Sequence, residues 1–202
     1  MNLKEEIHPK ILETLRNAAQ FNDLQIEHCL SYFEKKVFKR KQHFLLAGEI
    51  CHSKGIINKG CFRRYITDHH GKEVIINFAV EDWWIGDLES FNNQLPTEYN
   101  VQALEDSEVL CIPRLNHLKL YEIMPEYKMF HEEKTKRSHY ATLKRLSTAQ
   151  AGTPEERYLL LLEQQPYLFQ RVPLHYIASY LRIEPESLSR LRKRLTFKER
   201  KL

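Results

Sequence analysis

The segment 173–195 near the end of this chain, PLHYIASYLRIEPESLSRLRKRL, restricts the possible folds more than any other. Its apolar residues recur at helical spacing on both sides of a short break. The break is Arg182-Ile183-Glu184, and the following Pro185 suits the first position of a helix, where its missing N–H is not needed. The pattern predicts two short helices around a tight turn, which is the plan of a helix-turn-helix. The apolar positions are Leu174, Ile177, Ala178 and Leu181 before the break, and Leu188, Leu191 and Leu195 after it.

The second predicted helix has a polar face separate from its leucines. Residues Glu186, Ser189 and Arg190 follow the i, i+3, i+4 spacing that brings side chains together on a helix. In the major groove, arginine contacts guanine through two hydrogen bonds, glutamate accepts one from cytosine, and serine suits either. We therefore expect binding to double-stranded DNA, and the alternative is a helical hairpin with a solvated basic face. Further candidates for contacts with the DNA, mostly to phosphates, are Arg182, Ser187, Arg192, Lys193, Arg194 and Lys198.

The positive charge of the chain is concentrated in the same region. The 202 residues carry a formal net charge of +4. From Arg171 to the end there are nine basic and three acidic residues, so this stretch carries +6 and the part before it carries −2. A basic tail on a slightly acidic body is typical of a chain whose C-terminus contacts a polyanion.

The cysteines indicate a reducing compartment. The four of them are far apart and show neither a Cys-x-x-Cys pair nor zinc-ligand spacing. No stretch has the apolar centre of a signal peptide or the length of a membrane span. We expect a cytoplasmic protein without membrane attachment, in which most cysteines are small buried residues and the alternative for one of them is a redox-sensing thiol. They are Cys29, Cys51, Cys61 and Cys111.

The N-terminal part predicts two helices and then a series of strands. Apolar spacing over residues 3–20 indicates a first helix, and a second follows over residues 22–33. Between residues 37 and 112, short apolar or alternating runs are separated by turn residues. Strands at such regular spacing predict an all-β roll, jelly roll or barrel. The runs are 44–47, 55–57, 62–67, 74–78, 83–85, 99–103 and 109–112.

A long helix is predicted after the strands. A short helix over residues 113–122 precedes it, and the stretch from Pro125 to residue 149 then contains no further glycine or proline. A helix of this length outside a compact core usually packs against a partner, so we expect a homodimer through residues 125–149. The alternative is a helix folded back on its own domain.

The best domain boundary follows the long helix at Gly152-Thr153. Thr153 and Glu156 have the spacing of a capping box, in which each side chain satisfies a free backbone N–H of the other residue. The predicted units are a sensor domain over residues 1–124, a dimerisation helix over 125–150 and a DNA-binding domain over 151–202.

The order of these elements resembles the Crp/Fnr family of bacterial transcription regulators, over about residues 44–195. The resemblance implies an α+β fold: an N-terminal jelly-roll-like β-roll of the cyclic-nucleotide-binding type, a dimerisation helix and a winged-helix-like helix-turn-helix. It further implies a homodimer on a near-palindromic operator, with RNA polymerase as a possible partner. The similar motifs are Gly48-Glu49 with Asn58-Lys59-Gly60, Gly71-Lys72-Glu73, Trp84-Ile85-Gly86-Asp87-Leu88, and Glu186-x-x-Ser189-Arg190.

One departure from the family concerns the ligand pocket. Gly86, Asp87 and Leu88 resemble the Gly-Glu-Leu segment that, in members binding cyclic AMP, precedes an arginine and a small hydroxyl residue holding the phosphate. Those two positions correspond to Thr97 and Glu98 in this chain. A carboxylate where a phosphate would lie repels it, so we expect no useful binding of cyclic AMP. Asp87 then orients another ligand, or side chains fill the pocket.

Other cofactors and an enzymatic function are also disfavoured. The oxygen-sensing branch of the family holds an iron–sulfur cluster with clustered N-terminal cysteines, but only Cys29 precedes residue 50 here. Cupin enzymes, whose outline the roll shares, need a His-x-His pair on one strand face, whereas His69 and His70 are adjacent. We therefore expect no resident cofactor, no metal and no enzymatic activity.

The predicted DNA-binding unit departs from the family at three points. The turn position that is often glycine is Arg182, which must accept an uncommon backbone angle or a different turn. Pro185 takes the place of a base-reading residue, and seven residues after Leu195 are too few for a β-hairpin wing. These departures leave a second hypothesis open, in which the chain is a ligand-sensing or protein-interaction module with a degenerate helix-turn-helix.

Overall fold

The structure is a computed structural model that describes residues 6–199. Within this range, the side chains of residues 18–19, 148–151 and 196–199 are not described. The expected fold class is confirmed: an N-terminal roll of antiparallel strands is followed by a C-terminal helical region. Lys198 and the last residues that a wing would need lie outside the described side chains or outside the described range.

The roll consists of two antiparallel sheets. The first sheet has the strand order β1-β8-β3-β6, and the second has the order β2-β7-β4-β5. Their facing sides bury Ile57 and Val109 of the first sheet against Phe62 and Val101 of the second. Alternating apolar residues build this core because successive side chains of a strand point to opposite faces. The strands are β1 Glu34–Phe38, β2 His43–Leu45, β3 Ser53–Lys59, β4 Phe62–Thr67, β5 Glu73–Ala79, β6 Trp84–Ile85, β7 Asn100–Ala103 and β8 Ser107–Pro113.

Helices cover the outer face of the first sheet and form the C-terminal part. Thr153 and Glu156 form the predicted capping box at the start of α6, which separates this helix from α5. The helices are α1 Pro9–Ala19, α2 Asp23–Leu30, α3 Leu88–Asn93, α4 Arg114–Ile123, α5 Pro125–Ala151, α6 Pro154–Gln164, α7 Leu168–Arg171, α8 Leu174–Leu181 and α9 Pro185–Glu199.

Three sequence predictions about helices were wrong in detail. Helix α1 begins at Pro9 and not near residue 3. A proline is accepted in the first turn of a helix, but its ring would clash with the backbone of a helical turn before it. Residues 3–5 lie outside the described range. Helix α2 ends at Leu30, three residues early. The short helices α3 and α7 were not predicted, since four to six residues carry too little periodicity.

The long helix α5 has two different halves. Its first turns bury Tyr127 and Phe130 in a core shared with α1, α2, α4 and the roll. Its second half exposes Tyr140, Leu143 and Leu146, with 66%, 48% and 41% of their surface accessible. The first half therefore folds back on its own chain, and the second presents an apolar surface.

The C-terminal helices pack on the roll of the same chain. One apolar cluster joins Cys61, Val80 and Leu104 of the roll to residues of α6–α9 such as Leu161 and Ile177. At the end of α7, the Arg171 guanidinium pairs with both Glu81 and Glu105 of the roll. The hydroxyl of Ser179 accepts a hydrogen bond of 3.1 Å from the Ile75 N–H on edge strand β5. These contacts fix the two parts in one arrangement.

A buried ionic cluster connects the roll to α5 and α1. Asp82 lies between β5 and β6 and is 3% exposed. Its carboxylate pairs with the buried Lys134 and, at 2.8 Å, with Arg137, both on α5. The Thr14 hydroxyl of α1 contacts the same carboxylate at 3.2 Å. Three elements therefore converge on one buried charge.

Replacing Asp82 by asparagine should lower the free energy of unfolding by about 3 kcal/mol or more, because the buried Lys134 loses its counter-charge. Asparagine keeps the shape and accepts the left-handed backbone of residue 82 (φ 71°). The matched control is Asp106→Asn, which weakens an exposed pair with Lys39 and should cost far less, because solvent screens exposed pairs. Urea unfolding of both variants measures the difference, and equal losses would contradict the prediction.

Candidate functional site

A cavity of about 320 Å³ lies between the roll and the long helix α5. Aromatic side chains form much of its wall on the side of the roll: Phe62, Trp83, Trp84 and Phe91. The side of α5 adds polar groups, namely His131, Lys134, Thr135, Ser138, His139 and Thr142. An apolar pocket with a few convergent polar groups is the usual form of a small-molecule site.

Lys54 of β3 is buried in the wall of this cavity, with 5% of its surface exposed. Its Nζ lies 2.6 Å from Nε2 of His131 and 3.3 Å from Nε2 of His117. The same ammonium lies 4.9 Å from the ring centres of both Trp84 and Phe91. These contacts are cation–π and imidazole contacts, and among the described residues no carboxylate forms an ion pair with Lys54.

Burial dominates the titration of this cluster. It lowers the pKa of Lys54 from 10.5 to about 7, and only the nearby Cys51 thiol opposes the shift. Burial also lowers the pKa of His117 and His131 to about 3, helped in each case by the charge of Lys54. The two imidazoles are therefore neutral near pH 7, and the His117 Nδ1 lies 2.7 Å from the Tyr127 hydroxyl.

Arg64 of β4 brings a second cation to the cavity. Its Nε donates a 2.9 Å hydrogen bond to Asn77, and its guanidinium lies 4.8 Å from the centre of the Tyr99 ring. Burial lowers the pKa of Arg64, Tyr99 and Asp87 raise it, and the like charge of Arg145 on α5 lowers it further. Within the described range, no carboxylate forms an ion pair with this guanidinium.

The predicted pocket residues divide into two groups. Gly86, Asp87 and Leu88 line the cavity. Thr97 and Glu98 are not among its lining residues: Thr97 is buried and donates a 2.6 Å hydrogen bond to Oδ2 of Asp87, and Glu98 is exposed. The open volume shows that the described side chains do not fill the pocket, which was one of the two alternatives.

Asp87 also begins helix α3. Its Oδ1 accepts a 3.2 Å hydrogen bond from the Glu89 N–H and caps the helix. The preceding Gly86 has φ 123°, a conformation that favours glycine. Both oxygens of the Asp87 carboxylate therefore already accept hydrogen bonds from the chain.

Two buried N–H donors at the cavity have no acceptor. Nε1 of Trp84 and Nδ1 of His131 are shielded from solvent and have no hydrogen-bond partner among the described residues. When the Lys54 ammonium donates to Nε2 of His131, the proton of the neutral ring is on Nδ1. A buried donor without an acceptor is costly, and because neither atom has appreciable accessible surface, the open space of the cavity does not reach them.

A second crevice connects the cavity to the C-terminal helices. It shares Arg64, Trp83 and Ser138 with the cavity and extends to Arg145 of α5 and Tyr180 of α8. The side chains around the cavity therefore reach the surface on which α8 packs.

The residues predicted to bind DNA lie on α9 and on the turn before it. Glu186, Ser189, Arg190 and Lys193 are exposed together, while Leu188 and Leu191 pack underneath. This separation of polar and apolar faces is the one that the leucine spacing predicts.

The other predicted DNA contacts are partly engaged. The half-buried Ser187 hydroxyl accepts a 3.3 Å hydrogen bond from Arg190, and Arg194 pairs with Glu155 of α6. Arg182 is exposed and adopts φ 56°, which confirms the expected uncommon backbone angle. It ends α8 in a left-handed conformation, and the Ile183 N–H closes the turn onto the Ala178 carbonyl at 3.0 Å.

Sequence analysis missed Lys54 and Arg64, although β4 contained a usable signal. Adjacent residues of a strand point to opposite faces, so one of Arg63 and Arg64 must face the interior of a two-sheet roll. Arg63 faces away and lies between the rings of Tyr65 and Tyr176, 4.1 Å from each ring centre. Lys54 had no comparable signal, because the predicted strand began one residue after it.

The described part of the chain contains no group of three or more His, Cys, Asp or Glu residues that could hold a metal ion. Over the same range, none of the helices combines the length and apolar character needed to cross a membrane. Its four cysteines are buried free thiols, and burial raises the pKa of Cys29, Cys61 and Cys111 to about 12. Such thiols are poor nucleophiles.

Comparison with known proteins identifies the roll. Residues 35–123 match the family model of the cyclic nucleotide-binding domain. No curated protein sequence matches the chain.

Several solved structures share the fold over most of the chain. The catabolite activator protein of Thermus thermophilus is 18% identical, with 92% of this chain and 88% of that chain covered and a TM-score of 0.55. FixK2 from Bradyrhizobium japonicum is 16% identical, with 83% and 86% covered and a TM-score of 0.72. CLP of Xanthomonas campestris, described as a c-di-GMP-responsive global regulator, is 14% identical, with 86% and 91% covered and a TM-score of 0.70. These neighbours are regulators of the Crp/Fnr type, and at these identities the likeness shows the fold.

Replacing Lys54 by methionine should stabilise the protein at neutral pH. The folded pKa of Lys54, about 7, lies below its ordinary value of 10.5, so burying the ammonium destabilises the fold fully below about pH 7 and progressively less as the pH rises towards 10.5. The groups that face it are His117, His131 and Cys51. We expect a gain on the order of 3 kcal/mol near pH 6 that shrinks towards pH 10.

The matched control is Lys59→Met, on the exposed end of the same strand. Urea unfolding across this pH range should show no comparable trend for that variant. A gain for Lys54→Met that is independent of pH would show that packing, and not charge burial, is responsible.

Proposed function

We propose that this chain is a DNA-binding transcription regulator of the Crp/Fnr type that acts as a homodimer. The observation that carries the proposal is the exposed face of α9, where Glu186, Ser189, Arg190 and Lys193 lie together above a buried leucine face. The packing of α9 against the chain does not require an acid, a hydroxyl and cations on its outer face. Contacts to bases and phosphates of DNA use all three kinds of group. In the proposed complex, the first three residues read bases, while Lys193, Arg182 and Arg194 contact phosphates.

The second half of α5 supports the homodimer. Tyr140, Leu143 and Leu146 are large apolar side chains at 41% to 66% exposure, three residues apart along one helix. Burying them against a second copy stabilises a two-stranded coil. Two-fold symmetry then presents the two α9 helices to successive major grooves, about 34 Å apart, on a near-palindromic operator.

The three segments of the chain have different roles in the proposed regulator. We infer that residues 1–124 act as the sensor domain, residues 125–150 as the dimerisation helix and residues 151–202 as the DNA-binding domain. RNA polymerase is a further partner, the cytoplasm is the site of action, and no reaction is catalysed. The regulatory neighbours support this last inference.

A second candidate function is a ligand-sensing or protein-interaction module that no longer recognises an operator. The observation in its favour is that α9 is partly engaged within the chain, because Arg194 pairs with Glu155. DNA affinity separates the two candidates, since phosphate contacts make it fall with salt concentration.

The proposal predicts that selection from a random duplex pool will enrich an inverted repeat. On the enriched site, Arg190→Ala should cost about 1–3 kcal/mol and relax the preference at one base pair. Lys193→Ala should weaken binding to all sequences alike and reduce the salt slope by about one unit.

The control for both substitutions is Lys36→Ala, at an exposed position on strand β1 of the roll. That variant should bind like the parent. No enriched repeat, with weak binding to every sequence, would favour the second candidate function, and an equal loss on every sequence for Arg190→Ala would make Arg190 a phosphate contact.

The proposal also predicts no micromolar binding of cyclic AMP or cyclic GMP by titration calorimetry. The positions that would hold the phosphate are occupied by Thr97, whose hydroxyl is bonded to Asp87, and by the exposed carboxylate of Glu98. Neither of these two positions supplies a cation; the cations of the cavity without ion-pair partners, Lys54 and Arg64, lie on strands β3 and β4 instead. Micromolar binding of either nucleotide would refute this part of the proposal.

A further inference from the structure

The cavity beside α5 contains more positive charge than its own residues neutralise. Lys134 is paired with Asp82 and Arg63 with Glu73, which leaves Lys54, Arg64 and Asp87 as the other charged residues in its wall. Neither Lys54 nor Arg64 has an ion-pair partner among the described residues. At pH 6, where Lys54 is mostly protonated, two cations and one carboxylate leave room for one negative charge, and a buried charge without a partner is unfavourable.

The unpaired hydrogen-bond donors indicate the same missing group. The Arg64 guanidinium donates its Nε to Asn77, and its two terminal NH2 groups have no hydrogen bond among the described residues. The Lys54 ammonium contacts imidazole nitrogens and aromatic rings. Both groups donate and neither accepts. A carboxylate, which only accepts when ionised, complements them.

The walls determine the remainder of the ligand. Phe62, Trp83, Trp84 and Phe91 surround the space on the side of the roll, and aromatic side chains favour flat apolar groups that stack or meet them edge to face. A volume of about 320 Å³ is in the range of small-molecule pockets.

We propose that this cavity binds an aromatic carboxylate, a small ligand with one negative charge and a flat apolar body. Its carboxylate is neutralised by Arg64 and Lys54, and its ring contacts the aromatic wall. The description of this ligand as an effector rests on the proposed function. The binding itself does not, because it is measured on the protein without DNA.

Tryptophan fluorescence of the full chain reports directly on this cavity, because the chain has two tryptophans and both, Trp83 and Trp84, line it. The probes are benzoate and phenylacetate, each compared with its uncharged alcohol, benzyl alcohol or 2-phenylethanol. Excitation at the red edge of the tryptophan band avoids absorption by the probes. At least one acid should change the emission saturably, and its alcohol should bind about tenfold more weakly or worse.

Variants that remove charge but keep side-chain length test the two cations separately. Lys54→Met and Arg64→Met should each weaken binding of the acid about tenfold or more, and leave binding of the alcohol nearly unchanged. The matched controls are Lys59→Met on β3 and Arg40→Met before β2, both exposed and away from the cavity. Circular dichroism confirms that each variant is folded before titration.

Four outcomes would overturn the proposal. The first is that neither acid binds at millimolar concentration, and the second is that acid and alcohol bind equally. The third is that folded Lys54→Met and Arg64→Met proteins bind the acid as the parent does. The fourth is that cyclic AMP or cyclic GMP changes the same fluorescence at a lower concentration than either acid. A failure of DNA selection affects none of these measurements, so the two proposals fail separately.

Discussion

The carboxylate of Asp82 is the contact on which the arrangement of the molecule depends. It lies in the connection that leads into Trp83 and Trp84, and it holds Lys134 and Arg137 of α5. The same charge therefore fixes the long helix against the roll and positions the aromatic wall of the cavity. Because a buried ion pair is strongly destabilised when one partner is lost, the geometry of this junction has few alternatives. Helix, cavity and sheet are positioned together.

The sequence predicted the elements that have a strong period or a distinctive terminus. Strands β2 to β8, the capping box at Thr153 and the left-handed turn at Arg182 could be predicted because each depends on neighbouring residues. Strand β1 was not predicted, because Phe38 is its only buried residue and the strand shows no alternation. The cavity was predicted only in part: Gly86, Asp87 and Leu88 were expected at a pocket and line it. Lys54 and Arg64 were missed, because they come from separate strands and only the packing of the two sheets brings them to one space. Pro9 was a local signal for the start of helix α1, but the apolar spacing of residues 3–20 led to the prediction of a helix that begins too early.

The cavity and the basic helix are parts of one packed unit. Arg64 and Trp83 line the cavity and also border the crevice at Tyr180 of α8, while Arg171 holds the end of α7 to Glu81 and Glu105. A ligand that moves the cavity wall therefore acts on the surface where the C-terminal helices pack. Lys54 destabilises the fold in the absence of a counter-charge. Residues that serve ligand binding often lower the stability of a protein in this way.

The contact between Ser179 and strand β5 has a consequence for solubility. β5 forms the outer edge of its sheet, and free N–H and C=O groups along such an edge can pair with a strand of another molecule. Helix α8 lies over this edge, and the Ser179 hydroxyl bonds to both the Ile75 N–H and the Glu73 carbonyl. Any rearrangement that lifts α8 from the roll would uncover a strand able to aggregate, so α8 protects this edge as long as it stays packed on the roll.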